Sequence, residues 1–464
     1  MNTWFRFPAL AVSALMLGGC WLDSSDNDPV SEVTILHASS NAPRVNADID
    51  GLRVVGGADY KQARQFEVVS GTRTVTVDAL LPGGETAQVI GPADLDLEEG
   101  LSYDIIAVGD VGGTGDRALA PLVLSDDGAR DDANSVRVRV AHLASLPAVN
   151  AVDVYVTAPG DPLGTALLPN LTFKSVSDPV EVPAGDYQIR ITAAGDPTVA
   201  YDSGTVPLAA GSDLLIGAVN NTGTGDSPVS LIVESGGSVS EIFDASAGAG
   251  VRVVHNSYNT PAIGATGVDV YVNDQALAGA PAIANLEFPN AAPGADLGNY
   301  AQLPAGDTRV DVTAAGVKAS AINATLPLAN GVGYTVLAAN EFSALDLLAF
   351  TDDNRSVATS ARLRVIHGAG TAPNVDVYLT EVGAGIGNTE PVLSDVPYEV
   401  ASDYLYVAEG QYDVSVTVAG TGTVAIGPAT VDLATGGTYT LVARENETGS
   451  GFAVTLLDDF IAIP

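Results

Sequence analysis

VRVVHNSYNTP, residues 251–261, ends an alternating apolar run on a histidine, and the chain does this four times. Its only histidines, His37, His142, His255 and His367, close VTILH, VRVAH, VRVVH and LRVIH. In a strand, residues two apart share a face, so Val251 and Val253 point the same way as His255, and Arg252 points the other way. The same parity joins Val33 and Ile35 to His37, Val138 and Val140 to His142, and Leu363 and Val365 to His367. Each histidine is therefore expected on a core face at a strand end, neutral, using a ring nitrogen to hold the following loop. A catalytic role would need a nucleophile and an orienting acid. A serine follows in three copies (Ser39, Ser145, Ser257), but the fourth has Gly370.

The histidines lie 105, 113 and 112 residues apart, so each repeat is a whole domain rather than a solenoid coil. Three further landmarks recur. The first is the strand VDVY at 152–155, 268–271 and 375–378, degenerate as NADI at 46–49. Its Asp153, Asp269 and Asp376 leave the valine face and are expected to be solvated or at an edge with their tyrosines. The second is a glycine turn, VVSGTR (68–73), VPAGDY (182–187), LPAGDT (303–308) and VAEGQY (407–412), expected as a tight hairpin. The third is another glycine turn feeding a strand, from Leu97, Leu208, Leu328 and Leu433. Three repeats then close on an aspartate pair, Asp126-Asp127, Asp352-Asp353 and Asp458-Asp459, while the second ends on Asp244. About seven short strands per repeat with no amphipathic helix predict an all-β chain of four tandem immunoglobulin-like antiparallel β-sandwiches. They span 32–127, 136–245, 250–353 and 361–464, with flexible linkers between.

The first 19 residues, with Arg6 and an apolar run from Ala9 to Leu17, read as a signal peptide, too short to span a bilayer. Leu17-Gly18-Gly19-Cys20 resembles the lipobox of bacterial lipoproteins, which implies that Cys20 is acylated and anchors the chain to a membrane. Trp21 follows, where lipoproteins retained at the inner membrane typically carry aspartate, so the resemblance implies the outer membrane, facing periplasm or cell surface. The polar stretch 20–31 reads as a lipidated tether. With its one cysteine committed to lipid, the mature chain has no internal disulfide.

The full chain carries 19 basic and 56 acidic residues, a net −37. Such a surface repels nucleic acid, which is excluded as a partner. No phosphate-binding glycine motif occurs, and histidines a hundred residues apart make no zinc site. Asn46-Ala-Asp-Ile-Asp-Gly51 mimics the start of a calcium loop, but position twelve is Gly57, and Asp50-Gly51 reads as a hairpin turn. The one cofactor considered is calcium, with the junction carboxylates Asp126, Asp127, Asp131, Asp132, Asp352 and Asp353 as candidate ligands that would stiffen the linkers.

Together the V-x-V-x-H opening, the nearby prolines (Pro43, Pro147, Pro261, Pro373), VDVY, the P-A-G turn and the closing aspartates resemble the bacterial domain of unknown function 4397, four times over. That family carries no assigned activity, substrate or cofactor. The expected role is a non-enzymatic binding or spacer module with an unknown protein or glycan partner. The alternatives are a calcium-dependent adhesin and an envelope hydrolase.

Overall fold

A computed structural model describes residues 28–259, 267–273, 277, 279–294, 300–447 and 449–460. The expected signal peptide, Cys20 and the tether up to residue 27 lie outside these, as does Pro261. Four β-sandwiches follow one another, each of eight or nine strands rather than seven, in eight sheets. The first begins at Val30, so Val30 and Ser31 belong to a strand and not to the tether.

In every domain the histidine strand (Val30–His37, Val136–His142, Ala249–Tyr258, Ala361–His367) lies inside one sheet. It runs parallel to the strand fed by the third landmark (Ser102–Val108, Asp213–Asn220, Gly333–Glu341, Thr438–Glu445). The sandwiches are thus antiparallel apart from one parallel pair each. The VDVY strand sits inside the opposite sheet, antiparallel to the strand that follows the second landmark. Between the sheets lie four separate cores, and Val33 and Ile35, Val251 and Val253, and Leu363 and Val365 point into theirs beside the histidine, as parity requires.

The second landmark is not a hairpin. Val180–Val182 pairs in the histidine sheet and Gly185–Ala193 in the VDVY sheet, so the glycine turn carries the chain across the sandwich. Gly71 and Gly306, with φ near +116°, do the same in domains 1 and 3. The degenerate first copy is also one residue out of step with the reading NADI. Val45 pairs with Ala79 as Val152 pairs with Ala193, so Asn46 takes the aspartate's place and Asp48 the tyrosine's. Asp50 and Gly51, both at positive φ, form the two-residue turn joining Val45–Ile49 to Leu52–Ala58.

The linkers are not flexible spacers. The residue before each histidine (Leu36, Ala141, Val254, Ile366) is fully buried on the face away from its own core. Leu36 and Ala141 meet in one cluster with Ile106, Leu143 and Ile232, so domains 1 and 2 pack histidine sheet to histidine sheet. Val254 and Ile366 meet with Leu337, Val442 and Leu457, joining domains 3 and 4 in the same way. A strand buried on both faces has the setting in which parallel pairing is normally found. Domain 2 also holds domain 3: the Thr224 amide donates to the Gly331 carbonyl (2.9 Å), and the Asn330 side chain to the Asp244 carbonyl (2.7 Å). Gly331 can be nothing larger, because a Cβ there would fall 2.0 Å from the Phe243 ring. Finally, domain 4 returns to domain 1. Arg355, buried in the segment between domains 3 and 4, pairs with Asp59 (2.5 Å) and donates to the Ala42 carbonyl, and the Tyr406 hydroxyl donates to Asp59 (2.8 Å).

Candidate functional site

The four histidines are placed alike, and only Nδ1 of His142 among them is buried without a partner. Nε2 of His37, His142 and His367 faces the carbonyl of Pro43, Val149 and Pro373. The amides of Ser39, Ser257 and Ala369 donate to Nδ1 of His37, His255 and His367 at 3.3–3.4 Å. An Nδ1 that accepts leaves the proton on Nε2, so the ring is neutral and its donor faces a backbone acceptor. Burial lowers all four from the ordinary imidazole value, His37 and His255 to about 4. Each ring also meets an aromatic edge at 5.8–6.3 Å, from Tyr60, Phe173, Phe288 and Tyr398. In three copies the next residue, Lys61, Lys174 or Glu399, has positive φ and donates its amide to the histidine carbonyl. These aromatics were missed by sequence reading, although each sits at a comparable distance after its histidine and can be found by aligning the repeats.

The serines weighed as nucleophiles are committed elsewhere. The Ser39 hydroxyl donates to the Gly109 carbonyl and Ser145 to Asp110 (2.7 Å), and neither hydroxyl is bonded to its imidazole. The VDVY aspartates are buried, not solvated, at 6–9% exposure. Asp153 accepts the amides of Asn170 and Gly195, Asp269 those of Asn285 and Gly316, and Asp376 those of Asp395 and Gly420, at 2.7–2.9 Å. Two amides on one carboxylate favour its charged form, and Asp153 is held below the ordinary range for that reason. Asn46 accepts the Gly57 amide in the first domain with a single oxygen. Tyr155, Tyr271 and Tyr378 are buried as well.

Of the six junction aspartates expected to hold calcium, Asp126, Asp352 and Asp353 are paired with arginine. Asp126 pairs with Arg137 and with Arg139 (2.5 Å) on the histidine strand of the next domain. Asp352, with its side chain fully buried, pairs with Arg364 (2.6 Å), lies 3.9 Å from Arg252, and accepts from Thr335 and Tyr300. Asp353 pairs with Arg362 (2.5 Å). Asp127 and Asp132 accept amides of their own turns. The Asp131 amide donates to Glu181. Guanidinium groups placed three and five residues before the histidine pair with Asp126, Asp352 and Asp353 and lessen the repulsion among them. Among the described residues no three carboxylates, imidazoles or thiols gather as a metal site. Arg252, read as pointing away from the core, does so, but into the interface with domain 4 rather than into solvent.

The polar part of the junction between domains 1 and 2 is less complete. A cavity of about 120 Å³ remains among Glu32, Asp104, Asp126, Arg137, Arg139 and Glu234. Burial, with Asp126 and Asp213 adding like charge against Arg139, raises Asp104 to about 6. Burial, opposed by the Gly237 amide and reinforced by Asp104 and Asp213, raises Glu234 to about 7.

The model of the domain of unknown function DUF4397 matches residues 31–155, 145–266, 249–378 and 385–464. The chain belongs to that family. No curated protein matches the sequence. Among solved structures, it is similar to the TIE protein of Bacillus anthracis at 9% identity and TM-score 0.14, over 90% of this chain and 68% of that one. A putative cell adhesion protein from Parabacteroides distasonis matches at 12% identity and TM-score 0.14, over 70% and 99%. A family 26 carbohydrate-binding module from Eubacterium rectale, in complex with maltoheptaose, matches at 10% identity and TM-score 0.14, over 46% and 97%.

Proposed function

We propose that this member of the DUF4397 family is a lipid-anchored protein of the cell envelope, held at the outer membrane through Cys20, whose four sandwiches act as one non-enzymatic binding body. One observation carries the reading. The groups that could do chemistry are spent on architecture: imidazoles hold loops, serines bond backbone or Asp110, and junction aspartates are matched by arginines of the next domain. A catalytic constellation needs a base within reach of a nucleophile, and the Ser39 and Ser145 hydroxyls are bonded elsewhere than to their histidines. What remains for function is surface, strongly acidic and borne on a body whose domains are fixed to one another. A spacer needs length; domains locked face to face favour presenting a shaped surface over adding reach.

The anchor is tested by growing cells with a labelled fatty acid. Wild-type protein takes up label and sediments with membranes, and Cys20→Ala does neither. Label on the variant, or none on the wild type, removes the anchor from this reading. The binding role is tested by probing glycan and protein arrays with the full chain.

A further inference from the structure

A cleft of about 800 Å³ lies between domains 2 and 3, walled by the 223–228 loop, the 244–247 segment and residues from domain 3. Its size falls within the usual range for small-ligand sites, and a domain boundary is where such sites commonly occur. Its chemistry is selective. None of its described lining residues is Lys, Arg or His, while Asp226 and Asp244 contribute carboxylates, so an anion would meet only like charge.

Its hydrogen-bonding groups are uncharged otherwise. Ser227 and Ser246 line it with hydroxyl-bearing side chains. Gln302 adds an amide, and Asn354, which accepts from the Tyr300 hydroxyl (3.1 Å), adds a second. On the rim Val199 is 40% exposed. Hydroxyl and amide groups beside small apolar surfaces match a sugar, whose ring presents hydroxyls at its edge and C–H groups on its faces.

The cleft is also pre-formed. The Thr224 amide is bonded to Gly331 across the junction, and the Gly248 amide donates to the Asn330 side chain (2.9 Å), so both walls are tied together before any ligand arrives.

We propose that this cleft binds a neutral oligosaccharide; the assignment rests on the reading of the chain as a binding body. The test is titration of the full chain, in detergent, with linear hexasaccharides of glucose, mannose and N-acetylglucosamine, and with hexagalacturonate as the anionic comparison. At least one neutral sugar should bind and hexagalacturonate should not. Asp226→Ala and Gln302→Ala, both at exposed positions in the lining, should each weaken binding at least tenfold with unchanged thermal melts. The proposal is overturned by failure of all neutral sugars, by preference for the anion, or by binding that neither variant alters. A protein ligand found on the arrays with no sugar bound would also overturn it, while leaving the binding-body reading in place.

Discussion

Two junctions in this molecule are built on one plan and finished differently. Domains 1 and 2, like domains 3 and 4, meet through the outer face of their histidine strands, with Leu36 and Ala141 in one pair and Val254 and Ile366 in the other. Beside the apolar contact, the 3–4 junction sets Arg252 and Arg364 around Asp352 and backs them with the neutral Thr335 and Thr440. At the corresponding places the 1–2 junction has Thr34 for Arg252 and Asp104 for Thr335. One cation has been lost and two carboxylates gained, Asp104 and, where domain 4 has Leu457, Glu234, so these two face each other's charge around a small cavity. The apolar face decides that two domains dock; the residue three places before the histidine decides whether the junction is electrically complete.

The sharpest way to break this comparison is to remove the centre of the complete junction. Asp352→Ala strands two buried guanidinium groups and should cost about 3–5 kcal/mol, read by urea denaturation of the full chain. The equivalent Asp126→Ala should cost less, because its partner Arg137 keeps Asp213. Equal losses would mean that the two junctions are not different in kind. Next in size, Leu337→Ala and Ile106→Ala truncate matching fully buried side chains and should each cost about 2–5 kcal/mol. A loss under about 1 kcal/mol for either would show that the apolar faces do not hold the domains.

The histidines should behave alike in both pairs. His37→Ala strands the buried Pro43 carbonyl and should cost about 1–3 kcal/mol, and His367→Ala, whose acceptor at Pro373 is part-buried, no more than that. An imidazole titrating at its ordinary value by NMR would contradict the burial argument. The smallest effect is the pH response, and it should belong to the 1–2 junction. Asp104 and Glu234 have folded values raised above their unfolded ones, so their contribution is complete below about pH 4 and is lost as pH rises through about 6 to 7. Arg137, Arg139, Asp126, Asp213 and Glu32 share that cavity and set the slope. Asp104→Asn with Glu234→Gln should flatten the fall in melting temperature between pH 5 and 8. An unchanged slope would place the titrating groups elsewhere.

Much of the fold could be read from residues four and two places before each histidine, because a local period of two is enough to define one sandwich core. The second interface was also written there. The residue just before each histidine is apolar in all four copies, so these strands have no fully polar face, the pattern of a strand covered on both sides. What Arg252 meets on that second face, Asp352 and Thr335, was not legible from the local period. The aspartates of VDVY were misjudged for a different reason: Asp153 finds its amides 17 and 42 residues away, on loops whose return to that strand no local pattern announces. The arginine–aspartate junctions lie between these cases. Both partners are visible as repeats in the sequence, but their meeting depends on two sheets docking face to face. The calcium expectation rested on carboxylates read without these arginines.

The return of domain 4 to domain 1 bears on the order of assembly. Tyr406 reaches Asp59 across 347 residues, and Arg355 reaches Ala42 across 313. A chain emerging from its N-terminus can complete each sandwich in turn, since every strand pairing is made within one repeat. Asp59, however, must wait without Arg355 and Tyr406 until those residues are made and arrive to pair with it. The final repeat is thus a clasp: a chain cut short after the third would leave Asp59 on its first domain without the partners it has in the finished molecule, a mark by which incomplete copies can be told from whole ones.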